Sequence, residues 1–354
     1  MRSVLPILLL GIAQSLPAAG PAHVDITWMS ISNIYYELGS TYVLTDGYIS
    51  RIPQSAFHGG GGGLANTDKA YRPDEKAVAR VLSALGGRKK VNLLLTGHSH
   101  FDHSFDTATW SRLTGARIIG SKTTCLQAQA QNIPASRCTD VYGGEKFKLA
   151  DGVTMRVVRW NHSGDSEHNP EQHNPVELKS VPRPDPATGG LHAGVAEDFP
   201  NGGGNRAFLF TVDGSDGRFS WFFQNSASAS DLESPIVVDG KDYGAPLDNL
   251  KAAMRDAGLD SVDLWIGSGG GAVARMVLPV IRPKAYLPVH WDGLFGAFEA
   301  GVPKPYADAA LEQMLSAAGV ALIRPRQYMD KWRLDRAGIR PIPNAAVQQA
   351  LGFR

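Results

Sequence analysis

The sequence predicts an α/β fold, on three observations. Strand-like and helix-like segments alternate along most of the chain. The run Val91 to Thr96 is short, continuous and apolar, the pattern of a buried strand. Hydrophobic residues make up 43% of the 354 positions against 19% charged, which suits a sizeable core and is too apolar for disorder. That length gives a soft expectation of one or two domains. The balance of 35 Lys+Arg against 34 Asp+Glu carries no basic footprint for nucleic acid or an anionic membrane surface. Two cysteines exclude a disulfide-dense scaffold and any zinc site of four thiolates.

Taken in order, the chain opens with Met1-Arg2, an apolar run from Val4 to Ala13, and the small residues Ala18-Ala19-Gly20. That run is about half the roughly 20 residues needed to span a bilayer. It has instead the form of a secretory signal, the alternative being a buried first strand or short anchor. Residues 1–22 are therefore expected to be a signal peptide, cut between Ala18 and Ala22. Residues 23–354 should form one domain, periplasmic or secreted, with no integral membrane segment. An oxidising compartment would favour pairing Cys125 with Cys138, 13 positions apart, over two unrelated buried thiols.

From Val24 to Ile49, β-branched and aromatic residues predict strands, with Gly39-Ser40 as a turn. His58 and the five glycines after it can only be a flexible loop. Asp74 is placed to cap a helix with Ala77, Val78, Val81, Leu82 and Leu85 at helical spacing, ended by Gly86-Gly87. After the buried strand come a helix over Asp106–Leu113, a strand over Arg117–Ile119 and a helix from Ser121. Residues 165–205 hold six prolines and six glycines and almost no periodicity, so a long inserted loop is expected there. Strands AFLFTV and FSWFF, a helix Pro246–Ala257, strand DLWIGS, a helix Val273–Ile281, strand AYLPVH and a last helix Tyr306–Ala318 complete the series. The GSGGG run at 267–271 reads as a tight turn, since it lacks the Lys and spacing of a phosphate loop.

The chemistry is concentrated in His98, Ser99, His100, Phe101, Asp102 and His103, directly after the buried strand. Three imidazoles and a carboxylate in six residues suit Zn²⁺ or another borderline divalent metal. On an irregular turn, His98 and His100 can face one ion while Asp102 and His103 face a second.

This H-x-H-x-D-H run resembles the metallo-β-lactamase superfamily, an αββα sandwich in which two mixed β-sheets are flanked by helices. The resemblance covers most of the chain after residue 22 in outline, including an Asp in the turn Thr45-Asp46-Gly47. It implies two zinc ions. The first would be held by His98, His100 and a downstream histidine, His162 in RVVRWNHSGD, with His168 and His173 as competitors. The second would be held by Asp102, His103 and His290 in AYLPVHWDG. The family often bridges its metals with an Asp in a strand-end Gly-Asp motif, and here Asn225-Ser226 stands in that stretch. The departure speaks against the phosphodiesterase branch and agrees with the lactamase subclass using only histidine and one aspartate. LPVHWDG looks more like lactonase-type members.

The resemblance thus implies an exported di-zinc hydrolase that opens a lactam, lactone or related ester or amide of a small-molecule substrate. Alternatives are a phosphodiesterase-type hydrolase of the same superfamily, a non-catalytic metal-binding relative, and an iron oxidoreductase, for which carboxylate-richer ligands would be expected. Paired cations would lower the pKa of a shared water towards about 7. Asp102 would orient that water and relay its proton. Asp46, Asn225 and Ser226 are candidates for supporting or substrate contacts, Asp46 being equally a turn residue.

Overall fold

A computed structural model describes residues 19–353, so the expected signal peptide falls almost wholly outside the described residues. Apart from two short two-stranded ribbons, the strand-forming residues found in the sequence build two large sheets whose strands are numbered here, and the chain completes most of one before starting the other. The first six strands are β1 (His23–Ser30), β2 (Asn33–Leu38), β3 (Thr41–Thr45), β4 (Leu93–Leu95), β5 (Arg117–Gly120) and β6 (Cys138–Asp140). The next seven are β7 (Lys146–Ala150), β8 (Val153–Trp160), β9 (Asn205–Gly214), β10 (Gly217–Phe223), β11 (Leu264–Gly267), β12 (Ala285–Pro288) and β13 (Ala321–Leu322). The last two, β14 (Asp330–Asp335) and β15 (Gly338–Ile342), return to the first sheet. The orders are β15-β14-β1-β2-β3-β4-β5-β6 and β13-β12-β11-β10-β9-β8-β7. Each sheet is antiparallel in one half and parallel in the other, the change falling at β3–β4 and β10–β11.

Alternation decides which residues meet between the sheets. Along the second sheet, Val153, Met155, Val157, Phe208, Phe210, Val212, Phe219, Trp221 and Phe223 enter the inter-sheet core. Their neighbours Val158, Trp160, Ala207, Leu209 and Phe222 point the other way, into a helix-covered layer. Tyr36 of the first sheet meets Phe210 and Trp221 of the second, both at 5.5 Å between ring centroids. Such aromatic pairs add about 0.5–1.5 kcal/mol each beyond their buried area.

Helices α1 (Glu75–Ala84), α2 (Phe101–Ser104), α3 (Thr107–Thr114) and α4 (Lys122–Ala130) belong to the first half. Asp74 caps α1 as expected, accepting from the amides of Lys76 and Ala77. The inserted loop holds α5 (Pro170–His173). In the second half, α6 (Pro246–Ala257), α7 (Gly270–Ile281) and α8 (Ala309–Ala317) cover the outer sheet face through Leu250, Met254, Val277, Ile281 and Leu315. Helix α9 (Ala345–Leu351) closes the chain. The result is the αββα sandwich, two mixed sheets flanked by helices.

Three local expectations need correction. The hairpin β14–β15 and α9 lie beyond the helix taken as last. Charged residues interrupt the apolar signal of DKWRLD and Pro341 interrupts that of GIRPI, yet β14 pairs antiparallel with β1 along six residues. Helix α7 starts three residues before Val273, because Gly269, with φ +104°, turns the chain directly into it. The tract after His58 is not free: Gly61 donates its N–H to Glu171 Oε1 at 2.8 Å, and a Cβ there would lie 1.7 Å from the His168 carbonyl. Close approach to the inserted loop thus requires glycine. Cys125 of α4 and Cys138 of β6 form a disulfide, with Cα atoms 5.5 Å apart.

Candidate metal centre

The residues singled out in the sequence follow the C-terminal ends of strands: Asp46 after β3, His98 to His103 after β4, His162 after β8, Asn225 after β10 and His290 after β12. Both sheets therefore deliver side chains to one rim. His98 and His100 sit on the loop leaving β4, and Phe101 begins α2, which carries Asp102 and His103. Phe101 anchors that short helix, with its ring 4.5 Å from Phe57 and 5.9 Å from Tyr48.

Two clusters result. In the first, ligand atoms of His98, His100 and His162 lie within 4.8 Å of one another. The Nε2 atoms of His98 and His100 are buried and have no hydrogen-bond partner among the described residues. Burial, reinforced by neighbouring imidazoles, holds His98 and His162 well below the usual histidine range. Burial likewise takes His100 down to about 3. These are neutral rings presenting lone pairs to one another, which costs free energy without a cation between them.

In the second cluster, Asp102 Oδ2 is 3.0 Å from both His103 Nε2 and His290 Nε2, and those two nitrogens are 3.2 Å apart. His103 is buried, which opposes its charge, yet Asp102 and Asp46 on either side push it up to about 10. Burial would raise Asp102, but His103 and His290 hold it well below the usual carboxylate range. Without a cation, this cluster is an imidazolium flanked by carboxylates. The unpartnered nitrogens of the first cluster and the converging acceptors of the second fit divalent metals, as imidazole and carboxylate donors do.

Behind the ligands stands a hydrogen-bonded layer. Asp46 Oδ2 accepts from His103 Nδ1 at 2.9 Å, Ser32 Oγ at 3.0 Å and Asn225 Nδ2 at 2.9 Å, and Oδ1 accepts from the Gly97 amide at 3.0 Å. Asn225 Oδ1 faces His98 Nδ1 at 3.2 Å. Asn225 thus points at Asp46 and at the back of His98. Ser226 does not face the ligand atoms: its Oγ accepts the Ser163 amide at 3.0 Å, steadying the turn that holds His162. His290 has φ +65°, and its amide donates to the Ile31 carbonyl at 2.9 Å. Asp292 grips the Ile31 amide at 3.0 Å and takes the Tyr328 hydroxyl at 2.8 Å.

Of the competitors to His162, His168 is exposed and pairs with Asp165 at 2.9 Å. His173 is buried, but both its nitrogens are engaged: Nδ1 with the His162 carbonyl at 2.9 Å, Nε2 with Asp231 Oδ2 at 2.8 Å. The inserted loop thereby braces His162. Ser32, Asp231 and Asp292 went unnoticed in the sequence, because each acts through a partner brought near only by folding.

No protein-family model matches the chain. A stretch of 75 residues, 21% of this chain, is 33% identical to a UPF0173 metal-dependent hydrolase of Pyrobaculum islandicum and covers 33% of that protein. A longer stretch of 140 residues, 40% of the chain, is 25% identical to a UPF0173 metal-dependent hydrolase of Pyrobaculum calidifontis, covering 51% of it. The chain thus spans about a third to a half of the length of these curated relatives. Among solved structures, Igni18, a metallo hydrolase from Ignicoccus hospitalis, superposes with a TM-score of 0.50 at 13% identity. The superposition covers 88% of this chain and 98% of that one.

Proposed function

We propose that this chain, which carries the metallo-β-lactamase-like fold, is a hydrolase dependent on two divalent metal ions, zinc by preference. Its substrate would be a small molecule with a lactam, lactone or related ester or amide bond. One observation carries the reading: six side chains from both sheets converge as two clusters, with the Nε2 atoms of His98 and His100 left without a partner among the described residues. His98, His100 and His162 would hold one ion, and Asp102, His103 and His290 the other. Metal bound there would supply a water acidic enough to ionise near neutral pH and would polarise the scissile carbonyl.

The chain's own part is orientation and charge. Asp46 holds His103 by its Nδ1, so that Nε2 faces the cluster. Asp102 is the single carboxylate among the six and supplies the acceptor that orients the attacking water. His173 and Ser226 keep the His162 turn in place. Export belongs to the same reading. It is supported by the N-terminal pattern of a basic residue, an apolar run and small residues, and by the Cys125–Cys138 disulfide, since such bonds persist in oxidising compartments.

Turnover of the zinc-reconstituted protein against a chromogenic cephalosporin, a lactone and a phosphodiester in parallel tests the assignment. Cleavage of the cephalosporin or lactone, abolished by chelator and restored by zinc, is expected. Cleavage of the phosphodiester alone would move the substrate class, and no turnover of any would refute the reading.

A further inference from the structure

We infer that Asn225 is a positioning residue that selects which ring nitrogen His98 presents to the first cluster and hydrogen-bonds that cluster to the second. This rests on the reading of the two clusters as metal sites. The amide lies between His98 Nδ1, 3.2 Å from its Oδ1, and Asp46 Oδ2, 2.9 Å from its Nδ2. Asp46 Oδ2 is also where His103 of the second cluster donates, at 2.9 Å.

The polarity of this chain of contacts is forced. Asp46 Oδ2 is the common acceptor of these contacts, so the edge of Asn225 facing it must be the NH₂ group. The opposite edge is then the carbonyl oxygen, which can only accept. His98 Nδ1 must therefore carry the hydrogen, and its Nε2 keeps a lone pair. That Nε2 is buried and has no partner among the described residues. Asn225 is fully buried, so bulk solvent does not compete for either contact. The backbone is shaped to admit it: a Cβ at Gly97 would stand 2.2 Å from Asn225 Nδ2.

Only a side chain with a donor and an acceptor on one short planar group serves both neighbours. An aspartate would accept from His98 but would set a second carboxylate against Asp46 in place of the donor. A leucine of similar size would serve neither. Asparagine at 225 thus follows from a place behind the ligands, where a carboxylate is the wrong group.

The test uses the full chain, wild type and with Asn225→Asp and Asn225→Leu. Zinc affinity at both sites is read by competition with a chelator of known strength. Long-range ¹H–¹⁵N NMR reads the tautomer of His98 in the metal-free wild type. The expected results are Nδ1–H on His98 and zinc affinity weakened about 10- to 100-fold in both variants, the scale of second-layer substitutions. Tighter zinc binding by Asn225→Asp, as a residue facing the ions would give, overturns the proposal. So do unchanged affinities in both variants. An Nε2–H tautomer of His98 overturns it even if neither variant folds. A wild type that takes up no zinc refutes the metal reading itself, whereas variant effects on a wild type holding two ions bear on Asn225 alone.

Discussion

The two ligand clusters stand a few ångströms apart and face opposite electrostatic situations. The cluster of His98, His100 and His162 consists of neutral rings, with His100 taken down to about 3 by burial and the Nε2 atoms of His98 and His100 unpartnered. The cluster of Asp102, His103 and His290 contains a carboxylate, and His103 is pushed up to about 10, against burial, by Asp102 and Asp46. The first holds its lone pairs ready and gives up no proton to a cation. The second fills the place of a cation with a proton that metal must displace. If the two clusters are metal sites, as proposed, the presence or absence of flanking carboxylates would give them different binding behaviour.

The largest effect that can break this comparison comes from removing ligands. His100→Ala should weaken metal at the first cluster more than about 100-fold, beyond the range of second-layer changes, and leave the second cluster occupied. His290→Ala should do the reverse. Calorimetric zinc titration of the two variants checks it, and equal loss of both ions in each would show one indivisible site.

Next in size is pH. A proton on His103 survives until pH nears 10, so metal at the second cluster must expel it at any lower pH. Each pH unit gained should therefore strengthen that site about tenfold, or about 100-fold from pH 6 to 8. The first cluster, already deprotonated above about 3 at His100, should change little over the same span. Titrations in buffers of different ionisation enthalpy would show about one proton released on filling the second site and close to none on filling the first.

Much of this was legible in the sequence, and the reason is local. The run His98 to His103 keeps four ligand candidates within one loop and one helical turn, so their chemistry shows without a fold. His162 and His290 were reachable because each closes a strand with its own apolar signal. The α/β class followed from strand and helix patterns that the sheets preserve, and the αββα arrangement from the family that the His98 to His103 run resembles. The braces were not legible. Ser32 meets Asp46 across 14 positions and Asp231 meets His173 across 58, and nothing local marks either pair. The hairpin β14–β15 escaped for a related reason. Its charged residues are paired across strands, as where Arg333 grips Asp25 at 2.6 Å and 2.9 Å, so they read as surface until β1 lies alongside.

Those braces sharpen the comparison further, with smaller effects. Ser32→Ala removes one of three donors on Asp46 Oδ2 and should weaken only the second cluster, by about tenfold. His173→Leu frees the His162 carbonyl and should weaken only the first, by less than about tenfold. Zinc competition assays resolve both, and a Ser32→Ala effect on the first cluster would mean that Asp46 serves the two alike.

The most direct measurement is the zinc content per chain, by elemental analysis after reconstitution at pH 8 and removal of free metal. About two ions in the wild type, and none in the double variant His98→Ala/His103→Ala, is the expected result. A wild type that retains no zinc, or a double variant that retains as much as the wild type, would contradict the assignment of these six residues as the metal centre.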